Sequence, residues 1–127
     1  MVSRSSELVG GLYLESLDLA RAAAEAASEK QASDILLLDV RDVCNFSSFF
    51  VICTGDSDRQ LRAIGEEIEM TLEKLGVRVL HQEGESDSGW MLYDYGDVVV
   101  HIFSPAERQH YEFDELWRKG KPVIRIQ

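Results

Sequence analysis

The chain has 127 residues, 45% hydrophobic and 28% charged, enough for one core and too few for two domains of ordinary size. Its 23 acidic residues outnumber 13 basic ones for a formal net charge of -10, a field that disfavours a broad footprint on nucleic acid or on an anionic membrane and favours a basic protein partner. No run approaches the roughly 20 apolar residues of a membrane span, the N-terminus lacks the pattern of a signal peptide, and Cys44 and Cys53 are too few for a disulfide framework, so a cytoplasmic protein is expected.

The first strong element runs from Glu15 to about Lys30, an Ala-rich helix with Leu17, Ala20, Ala24 and Ala27 at helical spacing, Ser16 in the capping place and Asp18 in the first turn. Two short apolar runs follow, Ile35 to Val40 and Phe49 to Cys53, whose length suits strands buried on both faces. A second helix is marked by the S-x-x-Q capping box of Ser57 and Gln60 and by the stripe Leu61, Ile64, Ile68, Leu72 and Leu75, closed by Lys74 and Gly76. Val77 to His81 alternates as a third strand, and the acidic stretch from Gln82 to Gly89 is expected to be a loop.

Residues 90–103, WMLYDYGDVVVHIF, read as a hairpin. With Tyr95 and Gly96 as its two-residue loop, Asp94 faces Asp97, Leu92 faces Val99 and Trp90 faces His101. Met91, Tyr93, Val98, Val100 and Ile102 then form the core face. After Ser104 and Pro105 a last helix is expected, packed through Tyr111, Phe113, Leu116 and Trp117, and then an edge strand from Val123 to Ile126. The whole is one α/β domain, a mixed sheet of about five strands flanked by helices, with its core over residues 14–118 and a flexible N-terminus.

Chemistry has few footholds. Thr54, Gly55, Asp56 and Ser57 lie between a strand and a helix N-terminus, where a phosphate could sit, and this makes a nucleotide-binding or nucleotide-transferring enzyme centred on Gly55 and Ser57 the alternative function. A turn glycine and a capping serine explain the same residues, and no P-loop lysine follows. The histidines and cysteines show no metal-ligand spacing and no nucleophile motif surrounds Cys53 or the serines, so no metal, no cofactor and no catalysis are expected. Two facing acids repel, so Asp94 and Asp97 beside Trp90 point to a cation from elsewhere, with Trp90 as an apolar anchor. The pattern alone leaves open that Trp90 packs under the first helix and the acids cap a turn.

The stretches FFVICTGDSDRQLRAI, EGESDSGWMLYDYGDVVVHIF and RQHYEFDELW, in that order and without insertions, resemble the ribosomal silencing factor, or Iojap-like, family. The resemblance implies a nucleotidyltransferase-like fold without catalytic carboxylates. It also implies a non-enzymatic factor that binds the large ribosomal subunit at its protein fourteen, blocks joining of the small subunit, and represses translation when nutrients are scarce. It further implies a homodimer when free; beside it, the acidic charge leads us to expect little direct contact with nucleic acid, the lack of a long apolar run no membrane, and the lack of a transit-like N-terminus a bacterial cytoplasmic setting. Carried over by motif, the docking residues are Trp90, Met91, Leu92 and Asp94, with Asp97 and Tyr111 beside them. The chain departs from the family pattern at Ser48, where an acid is common, and at Phe113–Asp114, where Leu–Glu is more usual.

Overall fold

The structure is a computed structural model that describes residues 6–9, 12–110 and 119–126. A short hairpin, β1 (Ser6–Val9) and β2 (Leu12–Glu15), leads into α1 (Ser16–Glu29). Then come β3 (Ser33–Asp39), β4 (Phe49–Thr54), α2 (Asp58–Lys74), β5 (His81–Glu85), a 3-10 turn at Ser86–Ser88, β6 (Trp90–Asp94), β7 (Val98–Phe103), α3 (Pro105–His110) and β8 (Lys121–Ile126). Six strands form one mixed sheet in the order β5-β6-β7-β4-β3-β8. Among the described residues only the β4–β7 pair of this sheet is parallel; its other ladders are antiparallel. The helix end predicted at Tyr111, Phe113, Leu116 and Trp117 lies outside the described residues.

The two apolar runs are central strands, as their unbroken hydrophobicity implies: all six residues of β4 and Ile35–Leu38 of β3 are buried. Helices α1 and α2 cover one face. Their residues Leu19, Ala23, Ala27, Leu61, Ile64, Ile68 and Leu72 pack on Ile35, Leu37, Val51, Cys53, Val100 and Ile102. The alanines of α1 let that helix lie close to the strands, while α2 fills its share with branched side chains. Burial pushes the Cys53 thiol up to about 12, so it is inert core filling. On the opposite, outer face, Leu36, Leu38, Val40, Phe50, Ile52, Val99 and Phe103 make a second cluster.

The ends of α1 and α2 are fastened to each other through one side chain. Ser57 caps α2 by accepting the Gln60 N–H (3.1 Å), but Gln60 Oε1 reaches past Ser57 to accept the Asp56 N–H (2.6 Å). The same amide donates from Nε2 to the Lys30 and Gln31 carbonyls (3.1 and 2.9 Å), which the end of α1 leaves without an intrahelical partner. Gln60 therefore braces the entry to one helix and closes the other.

Three expectations change. The strand predicted over Val77–His81 forms instead at His81–Glu85, in the stretch expected to loop, because an edge strand exposed at every residue is held by its ladder to β6 and needs no apolar alternation. Ser16 is not the cap of α1; Glu15 is, while Ser16 is fully buried. The hairpin register is shifted by two residues from the predicted one: Trp90 faces Phe103, Leu92 faces His101 and Asp94 faces Val99. Tyr95 stays in the ladder, donating its N–H to the Val98 carbonyl (2.8 Å), and the turn is Gly96–Asp97, with Gly96 at φ +88 as the first central position of a II′ turn requires. A two-residue shift preserves which side chain is on which face, so the predicted core face stands although the predicted pairing of Asp94 with Asp97 does not.

Candidate functional site

Strand β6 alternates in burial with its pleat: Met91 and Tyr93 are buried and Trp90, Leu92 and Asp94 are half-buried. The half-buried three make one row on the outer face. Trp90 and Leu92 rest on the outer cluster of Phe50, Ile52, Val99 and Phe103, so their inner edges are packed and their outer edges meet solvent. Trp90 thus lies on the face opposite both long helices rather than under the first one.

At the end of the row Asp94 accepts the Gly96 N–H at its Oδ1 (2.8 Å), an Asx contact that steadies the turn. It forms no ion pair with any described residue. Its neighbour across the ladder is Val99 rather than an acid, so no repulsion between facing carboxylates exists to be relieved.

Asp97 has a different place. Its carboxylate accepts the buried Ser16 hydroxyl (3.2 Å), and its carbonyl takes three donors, Ser47 Oγ (3.0 Å) and the N–H groups of Ser48 and Phe49 (2.8 and 2.9 Å). It ties the hairpin turn to α1 and to the entry of β4. Met91, 5% exposed, packs on the helix side, so its side chain is turned away from the row. Of the predicted docking residues the structure brings together Trp90, Leu92 and Asp94, gives Met91 and Asp97 to the scaffold, and does not describe Tyr111.

His101 lies opposite Leu92 in the ladder, edge-on to Phe50 (ring centroids 5.4 Å apart) and stacked on Phe103 (5.9 Å). Burial among these rings pushes its pKa down to about 4. A neutral imidazole in an aromatic stack is packing, not a general base poised near neutrality.

Two residues that frame the sheet went unread in the sequence. Gly65 is a glycine inside α2, and a Cβ there would collide with the Tyr93 hydroxyl; it is the gap through which Tyr93 reaches the helix. Arg108, at the start of α3, donates from Nη1 to the Asp34 carbonyl (2.6 Å) and to Thr54 Oγ1 (2.8 Å). Asp34 sits at φ 47 in a register shift of β3, so a partly desolvated guanidinium holds a strained bulge. An i,i+4 or alternation pattern signals neither; the one trace of the first in the sequence is a glycine within an otherwise good helix stretch.

Part of the alternative phosphate site is taken up by the fold's own bonds. The Gly55 N–H donates to the Phe103 carbonyl (2.9 Å), and those of Asp56 and Gln60 go to Gln60 Oε1 and Ser57 Oγ. The depression beside this helix start, about 360 Å³, is lined by Asp58, Glu85 and Asp87 with Arg62 as its one cation, and Arg62 pairs with Asp58 (3.3 Å). Among the described residues no three His, Cys, Asp or Glu side chains are grouped to hold a metal, and no helix is long and apolar enough to cross a membrane.

Comparison with known proteins agrees in one direction. Residues 13–127 match the family described as "Ribosomal silencing factor during starvation". The chain is 42% identical over 95 residues to Ribosomal silencing factor RsfS of Bacillus subtilis, covering 75% of this chain and 80% of that protein. It is 29% identical over 92 residues to the mouse protein named Mitochondrial assembly of ribosomal large subunit protein 1, covering 70% and 40% respectively. The crystal structure of a Chromobacterium violaceum protein superposes with a TM-score of 0.79 at 33% identity, over 87% of this chain and 92% of that one.

Proposed function

The chain belongs to the ribosomal silencing factor family, and from that membership and the outer face of β6 we propose that it binds the large ribosomal subunit at its protein fourteen and so keeps the small subunit from joining. Trp90 and Leu92 are the apolar anchor and Asp94 is the partner for an Arg or Lys of the ribosomal protein. The observation that carries this reading is the row itself: an aromatic, an aliphatic and a carboxylate with no ion pair among the described residues, half-buried at alternate positions of a strand whose other side chains are locked in the core. Interface hot spots have this composition, with rigid support behind large side chains and a charge at the margin.

Repression then needs no chemistry. A body of 14.4 kDa seated on the intersubunit face excludes the other subunit by volume, which suits a cytoplasmic brake applied when nutrients are scarce. The net charge of -10 favours a basic ribosomal protein over the surrounding RNA phosphates. Met91 and Asp97 serve by holding the strand and its turn, Tyr111 stays a weaker contact by resemblance, and free chains pair as homodimers.

Pelleting with purified bacterial large subunits tests the docking face. The native chain is expected in the pellet, and Trp90→Ala and Asp94→Arg in the supernatant, both folded by circular dichroism. Undiminished pelleting of both variants rules the face out.

A further inference from the structure

We propose that Phe46 and Leu80, exposed at the end of the sheet where β6 turns into β7, are a second part of the docking surface and meet an apolar patch on the basic protein held by Trp90, Leu92 and Asp94. This deepens the proposed function and rests on it. Among the described residues these are the most exposed large hydrophobic side chains, 71% for Phe46 and 74% for Leu80. The strand directions bring the start of β5, the end of β6 and the starts of β7 and β4 to one end of the sheet. Leu80 immediately precedes β5 and Phe46 lies shortly before β4, so the two are separated by three strand intervals, about 14 Å, a span that fits within one interface of ordinary size.

Both are held in place by the same turn. The Leu80 N–H donates to the Asp94 carbonyl (2.8 Å). On the other side, the two residues after Phe46 donate to the Asp97 carbonyl, Ser47 through its hydroxyl (3.0 Å) and Ser48 through its N–H (2.8 Å). The backbone on both sides of Gly96–Asp97 is therefore already ordered, and apolar side chains on ordered backbone lose less freedom on binding than those on a loose loop. Covering such a side chain removes apolar surface from water, a gain that the free chain forgoes at both positions.

Charge selects the occupant. At this end Arg41 is paired with Asp39 (2.6 Å) and Lys121 with Asp42 (3.0 Å), His81, opposite Asp94 in the ladder, meets Glu83 (2.8 Å), and Arg78 lines a depression with Glu69 and Glu73, while Asp94 has no ion partner among the described residues. A basic protein is drawn toward a chain of net charge -10, a long-range steering that a second copy does not supply.

Affinity for purified bacterial large subunits decides the matter, measured for Phe46→Ser, Leu80→Ser, the double variant and Trp90→Ala, with self-association followed by sedimentation velocity. Each serine variant, replacing an exposed side chain, is expected to melt like the native chain and to bind about tenfold more weakly, the double variant more so; Leu80→Met, which keeps the apolar contact, is expected to bind normally. Normal binding by the serine variants with loss in Trp90→Ala would overturn this inference and leave the proposed face standing. Loss of self-association alone would assign the sheet end to a second copy and overturn it too. Unchanged binding by all, Trp90→Ala included, would remove both readings.

Discussion

At the scale of single residues, Gly65 and His101 make the clearest demands. Alanine ordinarily strengthens a helix interior by about 1 kcal/mol over glycine, but in α2 its methyl group would meet the Tyr93 hydroxyl. Gly65→Ala is therefore expected to destabilise by about 1–3 kcal/mol, and Tyr93→Phe in the same chain to recover part of that, since it removes the nearest atom; urea denaturation of the four members of the cycle reads the coupling. The Tyr93 hydroxyl, pushed up to about 12 by burial and the nearby Glu69 and Glu66, stays protonated throughout.

His101 links stability to pH. Folding holds its pKa near 4 against an ordinary 6.5, so the unfolded chain takes up the proton first. The contribution is complete above about pH 6.5 and is lost as pH falls toward 4, roughly 1–2 kcal/mol by pH 5. Between pH 7 and 5 the native chain is expected to lose that much more stability than His101→Phe, and equal losses in the two would show that the ring is not held neutral. Ser16 illustrates what a sequence hides at this scale: a serine before a helix reads as a cap, and only the fold brings the Asp97 turn to it.

Among elements, those with strong periodicity were legible. The stripe of α2 and the unbroken apolar runs of β3 and β4 define their own burial, and the alternation through Trp90–Ile102 gave the correct faces of the hairpin. Register was not legible, because Tyr95-Gly96 and Gly96-Asp97 both make acceptable turns in sequence; the ladder bond from Tyr95 to Val98 decides between them. Strand β5 was missed because its stability comes from the neighbouring strand, and polar residues carry no trace of that. The row Trp90, Leu92 and Asp94 was readable as a face, but the retirement of Met91 and Asp97 into the scaffold needed coordinates. The double duty of Gln60 sets a further expectation: Gln60→Ala, which frees the Asp56 N–H before α2 and releases two α1 carbonyls, should cost about 1–2 kcal/mol. Ser57→Ala should cost about 1 kcal/mol, and the order of the two in urea midpoints checks the assignment.

For the whole molecule, the division of labour is between the faces of one sheet. The helices take one face and seal it, leaving an outer face whose apolar residues are buried toward the middle and half-open along β6. The acidic surplus then acts at a distance. Association with large subunits is expected to slow several-fold between about 50 and 300 mM salt, as steering between opposite charges does, and a rate indifferent to salt would remove charge from the mechanism.

Subunit joining is where the consequences meet. Purified large and small bacterial subunits can be mixed at a Mg²⁺ concentration that drives joining and resolved on a sucrose gradient. A steric factor seated through Trp90, Leu92 and Asp94 depletes the joined peak as it is added and travels with the large subunit, and Asp94→Arg leaves joining intact. A joined peak that persists at saturating protein, or that Asp94→Arg suppresses as well as the native chain does, contradicts that mechanism.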